Sequence, residues 1–361
     1  MRCARREIRL ALRCAPLTAP CHRPPHSGAP DSFGADLWKP PSTYPAYLHV
    51  TDIAGLVRGA ATGAGLGNAF LSHIQAVDGV FHVVRAFDSD EVVHVDDSVD
   101  PVRDLETIQH ELCAKDLEYT ERAVADEVKD VKRSQGMKLS ALFIATTERV
   151  QAMLKEDKPI RGGVWNSAEV ELIRNKLPNL ITTKPVVYLV NLSKDDFLRK
   201  KNKWLAKIHA WIQAAGGGVM IPFSVEFEQA LWEARDNPDA RAALEDVAAG
   251  GAKSVLPKIV KQGYAELSLI YFFTAGEKEV RCWTVQEGAL APQAAGVIHS
   301  DFERGFIKAE VVSYADFREH SKGASMADVK AAGKYRIEGK QYVVQSGDIC
   351  HFQFNVTTSK K

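Results

Sequence analysis

The residues best suited to chemistry begin at Asp52-Ile53-Ala54-Gly55. An Asp at the end of an apolar run, with Gly three positions on, is a phosphate-site pattern. The carboxylate of Asp52 can hold the hydration shell of Mg²⁺ through water, and the Gly55 amide can approach a terminal phosphate with no Cβ in the way. Gly59, Gly63, Gly65 and Gly67 follow, giving the next stretch the freedom that a phosphate-sensing loop uses. Asn68 stands where the dinucleotide fingerprint needs its last glycine, which disfavours a nicotinamide dehydrogenase. Two further segments carry polar groups at the ends of apolar runs. Asn191-Leu192-Ser193-Lys194 could tie a base-reading loop to a phosphate loop, and Ser224 after Ile221-Pro222-Phe223 could line a base pocket.

These groups need a scaffold of strands and helices. Ala46 to Asp52 reads as a strand and Ala69 to Val77 as a helix with Phe70, Ile74 and Val77 on one face. Gly79–Phe87, Pro185–Leu192 and Gly218–Ser224 are short apolar runs of the buried-strand type. Strands alternating with helices predict a doubly wound α/β sheet, mainly parallel. The order D-x-x-G, N-x-x-x, strand-end Ser is that of a G-domain. A helical stretch at about 102–176 interrupts it, with Leu105, Ile108, Leu112, Leu117 and Val124 spaced among charges. It predicts an inserted helical hairpin or short coiled coil, either a docking arm or a plain packed pair. After Gly250-Gly251 come short β-type runs at Leu267–Phe273, Val280–Val285, Phe306–Val312 and Tyr342–Val344, as in a compact α+β domain. The expected divisions are 1–45, 46–250 and 265–356.

Composition narrows the classes. The 361 residues are 45% hydrophobic and 25% charged, and 46 basic side chains balance 46 acidic ones, so no whole-protein field favours DNA or a membrane. No run approaches the roughly 18 apolar residues of a membrane span. The six cysteines form no C-x-x-C pair and are too sparse for a disulfide scaffold, which fits a reducing compartment. The first 46 residues hold eight of the 16 prolines and six arginines against Glu7, Asp31 and Asp36. That composition suits a disordered extension, an unusual start, or an organelle-targeting segment in place of a cytoplasmic location.

Longer motifs carry a resemblance. DIAGLVRGAATGAGLGNAFLSHI, VVRAFDSDEVVHV, PVVYLVNL, YFFTAGEKEVRCWTV, and APQAAGVIHSDFERGFIKAEV followed by AAGKYR resemble the Obg-like ATPases, the YchF-type branch of the Obg GTPases among the P-loop NTPases. The similarity runs from about Tyr44 to Val356. It implies a G-domain whose first strands are missing or replaced here, a helical insertion, and a C-terminal TGS domain of β-grasp type. It also implies Mg²⁺-ATP binding and hydrolysis, with GTP used less well, and association with the ribosome, through its large subunit or its RNA. The family has a hydrophobic residue after the D-x-x-G glycine, here Leu56, which cannot orient water. The water-orienting candidate that the resemblance supplies is His94, against the alternative of a loop histidine with no such role.

Two features depart from the family pattern. G-x-x-x-x-G-K-[ST] does not occur in the 361 residues: Gly-Lys appears only at Gly333-Lys334 and Gly339-Lys340, followed by Tyr335 and Gln341. Without that cradle of amides and its lysine, affinity for ATP falls beyond about a millimolar. The enzymatic activity is thus left open, and the alternative is a catalytically inactive protein that docks on ribosome or RNA. Lys194 stands where the family has Glu; an ammonium can only donate, whereas a carboxylate accepts from base N–H groups. Asp195 could substitute if the loop shifts by one residue. The basic run Arg199–Trp204 with Lys207 could touch RNA phosphates, with Trp204 or Trp211 stacking on bases, or it is a solvated helix face with the tryptophans packed inward. His299, Arg304, Lys308, Lys334 and Arg336 are further candidates for an RNA surface.

Overall fold

The computed structural model describes residues 42–44, 46, 48–51, 74–88, 99–133, 138–239, 242, 244, 252–276, 279–321 and 326–355. The described residues fall into two compact units, one from residue 49 to 263 and one combining residues 42–48 with residues from 264 onward. In chain order β1 (Ser42–Tyr44) belongs to the second unit. The first unit then runs β2 (Val80–Arg85), α1 (Pro101–Arg133), α2 (Ala141–Lys155), a 3-10 turn at Ile160–Gly162, α3 (Ser167–Lys176), β3 (Val186–Asn191), α4 (Lys194–Arg199), α5 (Leu205–Ala214), β4 (Val219–Phe223) and α6 (Val225–Glu233).

The three apolar runs of the first unit form a parallel sheet in the order β2-β3-β4. Val80 pairs with Val186 and Val187 with Val219, which sets the register. Because helices cover the sheet, its strands read as continuous hydrophobic segments rather than alternating ones. Val84, Leu105, Tyr188, Val190, Ile208 and Ile212 form one buried cluster of this unit, Phe227 and Leu231 another. Gly218 has φ +137°, and a Cβ there would lie 2.9 Å from the Tyr188 ring, so the chain can enter β4 only with glycine at this position.

The inserted stretch is a packed helical body. Asp100 starts α1, its Oδ1 accepting from the Val102 amide at 3.1 Å. Helices α1 and α2 lie against each other, and Cys113, Val150, Leu154, Ile160, Ile173, Leu177 and Leu180 fill the space between their elements. An Asn166–Glu169 capping box opens α3. The chain returns to the sheet through residues 177–185, and Asp116 of α1 fixes that return. Asp116 is fully buried and accepts from the Ile181 amide at 2.8 Å, the Thr182 amide at 2.7 Å and the Thr182 hydroxyl at 2.6 Å.

The second unit follows from α7 (Leu256–Glu266), in which the division between the units falls. It contains β5 (Leu269–Ala275), β6 (Glu279–Gln286), α8 (Ala291–Ile298), α9 (Ser300–Arg304), β7 (Phe306–Ser313), α10 (Tyr314–His320), α11 (Met326–Ala331), β8 (Arg336–Glu338) and β9 (Asp348–Phe354). The strands make one mixed sheet in the order β1-β6-β5-β9-β7-β8. Phe272, Phe306 and Phe352 pack with Ala291, Ala294 and Ala295 of α8 in one core, and Phe273, Phe317 and Val329 form a second.

Two strand expectations need correction. Ala46 to Asp52 is not a strand among its described residues, which carry a single bridge position at His49. The strand lies upstream at Ser42–Tyr44, inside the proline-rich leader, and pairs parallel with Glu279–Arg281 of β6. Prolines at 41 and 45 lack an N–H and flank it on both sides. Tyr342–Val344 likewise makes only one antiparallel bridge, Leu290 with Val343, beside two backbone hydrogen bonds to Ala289 and Ala291. These three residues serve as a strap on the start of α8 rather than a sheet strand. Of the helix expected at Ala69–Val77, Ile74 and Gln75 are helical, and the residues before them lie outside the described set.

Candidate functional site

All three strands of the parallel sheet run in one direction, so their C-terminal ends share an edge. Arg85 pairs with Asn191 and Asn191 with Phe223 in the last register rows. The ladder continues one step further, Ala86 N–H to Asn191 C=O and Leu192 N–H to Phe223 C=O, each at 2.9 Å. In open α/β sheets this is the edge at which ligands bind.

Two helices start at that edge. Ser193 caps α4, its hydroxyl accepting from the Asp196 amide at 3.2 Å; Ser224 caps α6, accepting from the Phe227 amide at 3.4 Å. The two turns are stitched together in both directions. Asn191 Oδ1 accepts from the Val225 amide at 3.0 Å, and Glu226 Oε2 accepts from the Lys194 amide at 3.4 Å. A third connection secures β2: Asn202 Nδ2 donates to Ala86 C=O at 2.9 Å and to Asp196 Oδ2 at 2.7 Å, while Lys203 pairs with Asp88 at 3.0 Å.

The predicted residues therefore divide into three groups. Asn191 sits at the edge and joins the two turns. Ser224 is at the edge but fully buried, so its hydroxyl serves the helix cap. Leu192 is 3% exposed and packs into the core with Ile208 and Ile212. Asp52, Gly55, Leu56 and His94 lie outside the described residues. Asp195 has a 77% exposed side chain facing Arg199 at 3.8 Å, one helical turn along. The basic run is split between a left-handed cap at Lys200 and the start of α5. Trp204 and Trp211 pack against the core of the sheet, and the Lys207 ammonium lies 5.0 Å from the Trp204 ring centroid.

Behind the edge the sheet holds unusual polar residues. His82 of β2 is buried against Tyr188, ring centroids 5.5 Å apart, and the Tyr188 hydroxyl accepts from Arg161 at 3.0 Å. Burial, and secondly the Arg161 guanidinium, lower the His82 pKa to about 3, so this imidazole is neutral at physiological pH. Burial also raises the pKa of Asp116, against the pull of its three donors and Lys184. Among the described residues no group of three or more His, Cys, Asp or Glu could hold a metal ion. No helix of the described residues is long and apolar enough to cross a membrane.

Comparison with known proteins places this geometry. An Obg-like ATPase 1 from Oryza sativa subsp. japonica is 54% identical over 325 residues, 90% of this chain and 80% of the relative. The Homo sapiens protein of that name is 48% identical over 331 residues, 91% of this chain and 81% of the relative. The chain belongs to the Obg-like ATPase family. The "Structure of the Schizosaccharomyces pombe YchF GTPase" matches with a TM-score of 0.75 and 42% identity, over 92% of this chain and 90% of that one. The YchF-GTPase_C model, described as "Protein of unknown function (DUF933)", matches residues 269–355. Membership in this family of P-loop NTPases agrees with the α/β fold and with the C-terminal unit.

Several residues that shape the edge were not singled out in the sequence. Ser193-x-x-Asp196 is a helix-start pattern that could have been noticed. Glu226 carried a weaker signal, as an acid in the first turn after an N-cap serine. Asn202 carried none, because its contact partner Ala86 is distant in sequence.

Proposed function

We propose that this Obg-like family member binds Mg²⁺-ATP, accepts GTP less well, hydrolyses the nucleotide, and associates with the ribosome through its large subunit or ribosomal RNA. The observation that carries the reading is the identity of about half the positions over nine-tenths of the chain with proteins named Obg-like ATPase 1. In this reading Asn191 frames the base at the strand edge, while Leu192 and Ser224, buried behind it, hold the two turns in place. Gly55 senses the terminal phosphate, and Asp52 holds Mg²⁺ through water. Mg²⁺ would supply charge neutralisation at the phosphates, and its placement rests on Asp52 alone. His94 orients the attacking water, a task that Leu56 cannot perform. The C-terminal unit acts as a TGS-type β-grasp domain offering His299, Arg304, Lys308, Lys334 and Arg336 to RNA. The proposed location is the cytoplasm, with organelle targeting through the Arg-rich leader as the alternative.

A second reading is favoured by a specific observation: G-x-x-x-x-G-K-[ST] does not occur in the 361 residues. In it the chain docks on ribosome or RNA without hydrolysing ATP. Titration with fluorescent ATP and Mg²⁺, beside Asp52→Ala, separates the two. Micromolar binding weakened by Asp52→Ala supports the ATPase reading. No binding below about a millimolar refutes it for this chain and leaves docking.

A further inference from the structure

We propose that a cavity on the face of the parallel sheet is a binding site for a small monovalent anion of chloride's size, held by Arg161 with Tyr188 and His82. The site is independent of whether a nucleotide binds at the strand edge. The cavity lies within the first unit, among β2, β3, α1 and the 3-10 turn, and has a volume of about 30 Å³. Leu105, Ile108 and Val186 belong to its apolar walls, and no Asp or Glu lines it.

Three side chains bring hydrogen-bond donors to this cavity without an acceptor for them. The Arg161 Nε–H is buried and unpartnered, while another nitrogen of the same guanidinium donates to the Tyr188 hydroxyl at 3.0 Å. Having accepted from Arg161, the Tyr188 hydroxyl still has its own hydrogen to give, and no described residue takes it. Burial raises the Tyr188 pKa, so that hydrogen stays in place. His82 is 7% exposed; its ring meets Tyr188 but makes no hydrogen bond to a described residue. Kept neutral by burial and then by Arg161, it offers one N–H and adds no second positive charge. The other polar residues of the lining are already engaged: the Thr182 hydroxyl donates to Asp116, and Gln109 donates to the Asp157 carbonyl, each at 2.6 Å. Buried donors are ordinarily paired. Three of them facing one space, beside a guanidinium with no carboxylate in the lining, call for an acceptor that carries negative charge. A single positive charge matches a single negative one. A water takes roughly 10–15 Å³ of such a space, so the cavity admits a chloride ion or a pair of waters and excludes a phosphate group.

The test uses the full 361-residue chain at neutral pH and fixed ionic strength. Potassium gluconate, whose anion is too large for the cavity, is replaced stepwise by potassium chloride. Wild-type Tm rises and saturates, by about 3 °C at a chloride concentration about tenfold over its Kd, as for a ligand that binds only the folded chain. Arg161→Gln loses the rise. Tyr188→Phe, which keeps the ring against His82 and Trp211, needs about tenfold more chloride for the same rise. Lys155→Gln, which removes an exposed cation elsewhere in the unit, leaves the response unchanged. In crystals soaked in bromide, an anomalous peak appears within hydrogen-bond reach of Arg161, Tyr188 and His82; this measurement decides the matter should Arg161→Gln not fold. A chloride response equal in wild type and Arg161→Gln, no response in wild type, or a cavity that holds only water in the bromide-soaked crystals overturns the assignment.

Discussion

Asp116→Ala should weaken the first unit by about 3 kcal/mol. Asp116 is fully buried, and removing its carboxylate leaves the Ile181 amide, the Thr182 amide and the Thr182 hydroxyl without their acceptor. Each buried donor left unpaired costs roughly 1–3 kcal/mol, and the hydroxyl can rotate toward another acceptor, so the two amides set a gross loss of roughly 2–6 kcal/mol. Against this stands relief from burying a carboxyl group. The upward direction of the Asp116 pKa says that burial outweighs the three donors and Lys184, so part of the loss is recovered. For a unit of this size about 3 kcal/mol corresponds to a Tm fall of roughly 6–12 °C. Asp116→Asn should cost less, because one amide oxygen still accepts while its NH₂ faces a donor. Calorimetry of the three proteins at neutral pH checks the order wild type, Asn, Ala. A loss under about 1 kcal/mol for Ala, or Asn costing more than Ala, would refute the accounting of donors. The functional consequence is local: amide exchange along β3 should quicken, since Asp116 fixes the return of the inserted helices to the strand that ends in Asn191.

Stability should also fall in acid through His82. Its pKa is lowered from 6.5 to about 3 on folding, so below pH 6.5 the unfolded chain takes up a proton that the native chain does not. The slope is about 1.4 kcal/mol per pH unit across that window and vanishes above it; denaturant melts of wild type and His82→Phe between pH 4 and 7 should differ in this slope, and equal slopes would disprove it. Tyr44→Gly removes the ring that lies 5.1 Å from the Arg281 guanidinium and loosens β1. Amides at Glu279–Arg281 should then exchange about fivefold faster, equivalent to about 1 kcal/mol, while those of β7 and β9 keep their protection.

What the sequence disclosed depended on how local the cause was. The runs PVVYLVNL and GVMIPFS gave β3 and β4 nearly to the residue, because strands of a helix-covered parallel sheet are largely apolar throughout. The helical stretch was visible from its spacing, though its division into α1, α2 and α3 required the packing of Cys113 against Val150 and Leu154. Asn191 was legible as a polar residue ending an apolar run. Glu226 was not, since its significance comes from a contact with a turn 32 positions away. Ser224 was legible by position, and its burial shows its hydroxyl satisfying the start of α6, the role an N-cap serine takes. The strand at Ser42–Tyr44 escaped because three polar and aromatic residues among prolines carry no period, and only the open side of β6 gives them a partner.

That last pairing bears on how portable the C-terminal part of the protein is. The segment shared with the YchF-GTPase_C family is contiguous, residues 269–355, yet the sheet it contributes to is completed by residues from far upstream in the chain. A cassette cut at Tyr264 and moved into another protein would leave β6 with an unpaired row of N–H and C=O groups, an invitation to edge-to-edge association. Recombination or engineering that respects this unit must therefore carry two pieces of chain, and the short proline-flanked strand is the piece most easily left behind.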